Sequence, residues 1–131
     1  MTLTLTEIWI YPVKSLGGIS LGSGVVQKKG LQYDRRWMLI DEKGVAMTQR
    51  VHPEMALFKP QIEGSGIHLA YKKAGNVISS SGFDMSTAQR GEKIAAQVWD
   101  DRVEVFEVDG GVSAWFSRHL GTACKLVAFP E

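Results

Sequence analysis

The stretch Ile10-Tyr11-Pro12-Val13-Lys14-Ser15, read together with Tyr33-Asp34-Arg35-Arg36-Trp37 further along the chain, is the most informative part of this sequence. Each segment joins a short apolar run to cationic or hydroxyl side chains, at a place where a turn or the end of a strand is expected. A fold that buries the apolar part also holds the polar part in position. Two such segments within one small domain predict an anion-binding edge.

The bulk composition describes an ordinary globular domain. With 131 residues, of which 44% are hydrophobic and 22% charged, the chain is long enough to bury a core and short enough to be one domain. Lys and Arg total 15 against 14 Asp and Glu, which gives a net charge of +1. Because no global field draws this chain to nucleic acid or to an anionic membrane, an anion site has to be local.

The sequence also predicts a location. No apolar run approaches the roughly 20 residues that a membrane-spanning helix needs, and the N-terminus lacks the basic and apolar regions of a secretory signal. Cys124 is the one cysteine, which excludes an internal disulfide and fits a reducing compartment. We therefore expect a cytoplasmic domain.

Strand patterns dominate the chain. Residues 3–11 alternate and end at Pro12, which cannot donate to a ladder. Residues 33–41 form the strongest strand pattern, and residues 93–99 and 102–108 form a hairpin. Residues 79–91, which open with Ser79-Ser80-Ser81-Gly82, are interpreted as a surface loop.

One convincing helix follows Asp109, a plausible N-cap, and Gly121 stands where a C-cap glycine belongs. Residues 125–129 form a final strand. Many short strands with one helix predict a mainly β (α+β) fold, a small antiparallel β-barrel with one short C-terminal helix, because closure removes exposed sheet edges.

Lys14 and Ser15 are the first candidate site residues. Pro12 fixes its own φ and biases its neighbour to an extended conformation, so the segment after it is aimed reproducibly. An ammonium beside a hydroxyl and the free N–H groups of a Gly17-Gly18 turn suits a phosphate or a carboxylate. The alternative is a solvated lysine at a strand end.

Asp34, Arg35 and Arg36 form the second cluster. On a strand the two arginines point to opposite faces, so one can pair with Asp34 or lie on an aromatic ring while the other binds a planar anion. The alternative is a surface salt bridge with an arginine whose stem covers apolar surface. Residues 48–50 (Thr-Gln-Arg) form a weaker third cluster.

No catalytic or metal-binding group is indicated. His52, His68 and His119 are far apart in sequence and have no Cys or carboxylate at metal-ligand spacing. Cys124 lies in a predicted strand, where a packed thiol is favoured over a nucleophile. We therefore expect neither catalytic nor metal-ligating residues.

With these residues in view, the chain resembles the N-terminal β-barrel domain that precedes the MOSC domain, the molybdenum cofactor sulfurase C-terminal module. The matching segments cover nearly the whole chain, and their order and spacing are more specific than any one of them. They are residues 5–15 (Leu-Thr-Glu-Ile-Trp-Ile-Tyr-Pro-Val-Lys-Ser), 30–41 (ending Asp-Arg-Arg-Trp-Met-Leu-Ile-Asp), 44, 48–50, 53–57, 109–117, 120–121 and 126–127.

The resemblance implies a role at a cofactor. Members of this family bind a molybdopterin-type cofactor between this domain and the MOSC domain, in amidoxime-reducing enzymes and related proteins. The Lys and Ser of the Tyr-Pro-Val-Lys-Ser motif and the first Arg of the Asp-Arg-x-Trp motif contact its phosphate-bearing part. By resemblance, the cofactor-binding residues here are Lys14, Ser15 and Arg35.

The resemblance also implies a limit. The sequence stops at Pro130-Glu131, about where the family passes into the MOSC domain, whose cysteine ligates molybdenum and which Cys124 does not match. We therefore expect residues 1–131 to form a single domain that is not an enzyme by itself and has no MOSC catalytic domain. The expected partners are a MOSC-domain or redox partner protein and a phosphate-bearing small molecule. The alternative is a stand-alone protein-interaction or structural domain without cofactor binding.

Overall fold

A computed structural model describes residues 8–21, 26–27, 30–31, 34–87 and 91–130 of the chain. Within these residues the strands are short and numerous. In chain order they are β1 (Ile8–Ile10), β2 (Ile19–Leu21), β3 (Val26–Gln27), β4 (Gly30–Leu31), β5 (Trp37–Asp41), β6 (Phe58–Glu63), β7 (Gly66–Lys73), β8 (Asn76–Asp84), β9 (Lys93–Val98), β10 (Asp101–Glu107) and β11 (Cys124–Ala128). The α-helix α1 spans Gly110–Leu120, and two 3₁₀ helices span Pro53–Leu57 and Met85–Thr87. None of these helices is long and apolar enough to cross a bilayer.

The described strands form four antiparallel sheets. The largest has the order β5-β11-β10-β9, and the next has the order β6-β7-β8. The other two are the pairs β1-β2 and β3-β4. The predicted mainly β fold with one C-terminal helix is therefore confirmed.

The sheets do not close into one continuous ladder. The edge strands of the four-stranded sheet are instead joined by single bridges, in which Ala46 pairs with Ile40 of β5 and Val45 pairs with Gln97 of β9. Gly44, with φ +80°, makes the tight turn that sends residues 45–46 back between the two strands. Two residues thus link the edges of the four-stranded sheet, and the predicted closed barrel is not formed by the strands that the structure describes.

Strand β5 is buried on both faces because it lies between two apolar clusters. Trp37 and Leu39 belong to the larger cluster, which includes the helix residues Trp115 and Phe116. Met38 and Ile40 face a smaller cluster. Its other buried members are Ala96, Val105 and Val127.

Helix α1 begins and ends as the sequence predicts. The Asp109 carboxylate accepts hydrogen bonds from the N–H groups of Gly111 at 2.7 Å and Val112 at 3.0 Å, which satisfies donors that a helix start leaves unpaired. Gly121 has φ +70°, and its N–H donates to the Ser117 carbonyl. The buried face of α1 packs on β11 and reaches β8, where Trp115 Nε1 donates to Ser79 Oγ at 2.8 Å.

The prediction of a surface loop over residues 79–91 is wrong for its first half. Residues 79–84 belong to β8 and pair with β7, for example Ser79 with Tyr71 and Ser81 with Leu69. The predictions on residues 1–7, 22–25, 28–29, 32–33 and 88–90 lie outside the described residues.

Candidate functional site

The two segments from which the sequence predicts an anion-binding edge, the one that ends in Lys14-Ser15 and the one that contains Arg35, lie side by side. The Arg35 N–H donates to the Tyr11 carbonyl at 2.7 Å, and the Trp37 N–H donates to the Pro12 carbonyl at 3.1 Å. The Lys14 N–H in turn donates to the Trp37 carbonyl at 2.8 Å. Backbone hydrogen bonds in both directions therefore hold the Lys14 turn against the start of β5.

Ser15 and Arg35 both adopt the left-handed backbone conformation, with φ of 70° and 50°. A residue with a side chain loses about 1–3 kcal/mol in this region unless its surroundings compensate, and such residues cluster at ligand sites. The other described non-glycine residues with positive φ are Ala74 and Trp99, which lie in hairpin turns. Ser15 instead ends the first predicted anion-binding segment, and Arg35 lies within the second.

The Arg35 guanidinium is already oriented by two neighbours. Its Nη1 donates to Asp34 Oδ2 at 2.8 Å, and its Cζ lies 5.6 Å from the centre of the Tyr11 ring. The other oxygen of Asp34 accepts from the Tyr11 N–H at 2.7 Å. The Arg35 side chain is nevertheless 62% exposed, and a guanidinium has five N–H donors, so it can bind an anion while it pairs with Asp34.

Sequence reasoning left open which arginine would be held and which would be free, and the structure engages both. Arg35 takes both anchors that were considered, the carboxylate and the aromatic ring. Arg36 also has interactions of its own, and its carbonyl accepts from the Phe129 N–H at 3.0 Å. Arg36 is therefore tied to the chain that follows β11.

The third sequence cluster joins the first. Gln49 Nε2 donates to the Ser15 carbonyl at 2.6 Å, although the two residues are 34 positions apart. This contact holds the carbonyl of Ser15, whose backbone has a positive φ. Arg50, which follows Gln49, is exposed.

Lys59 is a site residue that sequence reasoning missed. The Gly17 N–H donates to the Phe58 carbonyl at 3.0 Å, which places the Lys14–Gly18 loop on the start of β6. A Cβ on Gly17 would lie 2.9 Å from Lys59 Cδ and 3.5 Å from Lys59 Nζ. A second ammonium therefore lies over this loop, and only the absence of a side chain at residue 17 makes room for it.

The groups that could do other chemistry are not gathered here. Across the described residues, no three His, Cys, Asp or Glu side chains are grouped as a metal ion requires. Cys124 pairs with Asp41, whereas Lys14 bonds to Trp37 at the other end of β5, a separation of roughly 13 Å at 3.3 Å per residue. Burial raises the pKa of the Cys124 thiol, against the opposing effect of the Ser117 hydroxyl, which favours the protonated form of the thiol.

Comparison with known proteins places this arrangement in a family. A family model described as the MOSC N-terminal beta barrel domain matches residues 2–123. The chain belongs to this family. The match includes both segments that meet at the candidate site, and the resemblance stated from the sequence is confirmed.

Relatives of this MOSC N-terminal domain are named molybdenum cofactor sulfurases. The one from Danio rerio is 31% identical over 125 residues, and the one from Homo sapiens is 26% identical over 129 residues. These alignments cover 95% and 94% of this chain but only 15% and 14% of the relatives. The chain therefore spans about one seventh of the length of the relatives that it matches.

A solved structure shares the fold. The solution structure of a Bordetella bronchiseptica protein superposes with a TM-score of 0.68 at 17% sequence identity, covering 98% of this chain and 91% of that one. The whole MOSC N-terminal domain therefore has the architecture of a known structure.

Proposed function

We propose that this MOSC N-terminal domain forms half of a binding site for the phosphate end of a molybdopterin-type cofactor, or for a similar anionic ligand, and is not catalytic alone. The observation that carries the proposal is the meeting of the Lys14–Ser15 turn with Arg35 through backbone hydrogen bonds. Because Ser15 and Arg35 are both held in a strained conformation, their side chains are positioned before any ligand arrives.

The donor set suits a phosphate. Lys14 offers an ammonium group, Ser15 a hydroxyl and Arg35 a planar guanidinium. Together these three donors suit the oxygens of a dianionic phosphate. The carboxylate of Asp34, whose two oxygens accept from Arg35 and from the Tyr11 N–H, offsets the charge of Arg35, so Lys14 supplies the net positive charge in this donor set. Since the net charge of the chain is +1, attraction comes from this edge and not from the molecule as a whole.

The described residues would hold the ligand but would not supply metal chemistry. A molybdenum centre would bring redox chemistry, and a soft thiolate is the kind of ligand that such a metal prefers. Cys124 is buried as a thiol about 13 Å away along β5. The free thiol of Cys124 also supports a reducing compartment, and we place this function in the cytoplasm.

An amide chemical-shift titration tests the proposal. We expect a pterin phosphate to give saturable shifts confined to residues 13–18 and 34–36, with tighter binding than inorganic phosphate. The double variant Lys14→Ala/Arg35→Ala should lose these shifts and keep the dispersed spectrum of the folded domain. Each charged contact contributes about 1.5–3 kcal/mol, so the affinity should fall at least tenfold.

Lys73→Ala is the matched control, because Lys73 is an exposed cation at the tip of the β7-β8 hairpin. It should bind the pterin phosphate as the wild type does. An absence of localised shifts at millimolar ligand would contradict the cofactor half-site. Unfolding of the double variant would assign Lys14 and Arg35 to the scaffold instead.

A second candidate function is that of a protein-interaction domain. The favouring observation is the exposure of two aromatic side chains on one side of β1, Trp9 at 52% and Tyr11 at 38%. Both lie on Gly18, where a Cβ would come within 2.8 Å of the Tyr11 ring and 3.1 Å of the Trp9 ring. This surface borders the Arg35 contact, and the partner that it would meet is a MOSC-domain or redox partner protein.

A further inference from the structure

The outer edge of β8 is a long strand edge without a partner in the part of the chain that the structure describes. β8 has nine residues and pairs on one side only, with β7. The backbone N–H and C=O groups on its other side form a template for an additional strand. Its side chains are mostly exposed from Asn76 to Gly82.

In the two larger sheets, the edges other than β8 carry charges, a proline or bridging residues. The opposite edge of the same sheet, β6, carries Lys59, Pro60 and Glu63, and charges and proline on an edge discourage pairing. The edges of the four-stranded sheet are bridged by residues 45–46. By contrast, residues 76–83 (Asn-Val-Ile-Ser-Ser-Ser-Gly-Phe) contain no charged residue and no proline.

A β-bulge exposes apolar side chains at the start of this edge. Tyr71 pairs with Ser79 and Lys72 pairs with Val77, so Ile78 is the extra residue between them. A bulge turns the side chains of the bulged strand away from their normal alternation. Val77 and Ile78 are both 56% exposed as a result.

A groove that could receive such a side chain lies on the same strand. Gly82 and Ser80 are exposed, whereas Phe83 is buried and Ser79 bonds to the helix, so residues 80 and 82 face outward on the part of β8 that follows the bulge. Beside them is a surface groove of about 390 Å³. Its lining includes Glu63, Ile67, His68, Ser80, Gly82 and Phe83.

We propose that β8 pairs antiparallel with β8 of a second copy of this chain, about a two-fold axis at Ser80. In this register Ser80 faces Ser80 of the second copy, and Ile78 faces Gly82 of the second copy, which has no side chain to obstruct it. The charged residue Asp84 meets the neutral Asn76. The edge is therefore complementary to itself, as an interface between identical subunits must be.

The strand is rigid enough to act as a template. The hydrogen bond from Trp115 Nε1 to Ser79 Oγ at 2.8 Å fixes its inner face to α1. The inner side chain of Phe83 packs edge-on against Trp37, with ring centres 5.3 Å apart. A strand that is already ordered loses little conformational entropy on pairing, and none of these residues belongs to the proposed anion site.

Sedimentation velocity over a range of protein concentrations tests the pairing. The wild type should dimerise with increasing concentration, and Ser80→Lys and Ser80→Glu should each weaken the dimer at least tenfold, because like charges directly opposite are destabilising. An equimolar mixture of these two variants should dimerise again, since Lys then faces Glu. Gln61→Lys, at an exposed position of β6, should dimerise as the wild type does.

Far-UV circular dichroism establishes whether each variant is folded. If Ser80→Lys does not fold, Ile78→Ser replaces it, and this variant should also weaken the dimer. A wild type that stays monomeric up to about 1 mM, the weakest affinity of interest here, overturns the proposal. So does a Ser80→Lys variant that dimerises as the wild type does, or a mixture of the two charged variants that stays monomeric.

Discussion

Pro12 determines how the two motifs of the candidate site meet. It has no N–H, but its carbonyl accepts hydrogen bonds from the N–H groups of Arg36 and Trp37, both at 3.1 Å. Steric contact with its ring biases the preceding Tyr11 to an extended conformation, and the Tyr11 N–H donates to Asp34 Oδ1 at 2.7 Å. One imino acid therefore aligns the chain that carries Lys14 with the chain that carries Arg35.

His119 should make the stability of the domain depend on pH. Its Nε2 is buried without a hydrogen-bond partner, and its ring lies 4.6 Å from the Tyr71 ring and 5.2 Å from the Trp115 ring. Burial, and secondly the charge of Arg118, lower the pKa of His119. As the pH falls below about 6.5, the unfolded chain therefore takes up the proton before the folded one, and the free energy of unfolding decreases.

Urea unfolding at a series of pH values between 8 and 5 measures this effect. In His119→Phe the decrease should be smaller, because the ring contacts remain but the titrating group is gone. His68→Gln is the control, since His68 is exposed on β7, and it should keep the wild-type dependence. An unchanged pH dependence in His119→Phe would show that other groups cause it.

At the scale of elements, α1 is the one unit whose sequence signals and structure agree at both ends. Asp109 and Gly121 lie at the predicted cap positions. The helix is then fastened to β11 through two serines that sequence reasoning did not single out. Ser113 Oγ accepts from the Leu126 N–H, and Ser117 Oγ accepts from the Cys124 N–H, both at 3.0 Å.

Replacing the N-cap tests how much this element contributes. Asp109→Ala should lower the free energy of unfolding by about 1 kcal/mol, because it removes the acceptor for two N–H groups of the first turn. Asp109→Asn should retain most of the stability, since an amide oxygen can still accept. Chemical denaturation gives both values, and an equal loss in the two variants would point to the charge at the helix start instead of the cap.

Strand β8 shows why an element can be misread from its sequence. Four consecutive small residues, Ser79-Ser80-Ser81-Gly82, have loop-forming composition, and they predict a loop. In the structure the neighbouring strand supplies apolar partners, Tyr71 opposite Ser79 and Leu69 opposite Ser81. Tertiary pairing overrides local propensity here, and no local pattern in the sequence carries that information.

For the whole molecule, the sequence was sufficient for the local parts of the site but not for its assembly. The Lys14–Ser15 segment and the segment around Arg35 could be predicted as anion-binding candidates because Pro12, the glycines and the charges are local signals. Arg35 was expected on a strand, however, and lies in a turn before β5. The contacts of Gln49 and Lys59 could not, because each is made across 34 or more positions by residues with no distinctive pattern. Likewise, the strand composition indicated a mainly β fold, whereas the bridging of β5 and β9 by residues 45–46 depends on long-range pairing.

The two apolar clusters should unfold together, because β5 contributes side chains to both. Val105 is fully buried in the smaller cluster, and Val105→Ala should lower the free energy of unfolding by about 2 kcal/mol through lost burial and a residual cavity.

Both buried tryptophans that the structure describes, Trp37 and Trp115, lie in the larger cluster. Because Trp9 and Trp99 are already exposed, the change in tryptophan fluorescence on unfolding comes mainly from Trp37 and Trp115, in the cluster that the substitution does not touch. If β5 couples the two, the urea midpoint should fall equally by tryptophan fluorescence and by far-UV circular dichroism, with one transition in each. A fluorescence midpoint that stays at the wild-type value while the dichroism midpoint falls would mean that each side of β5 folds on its own.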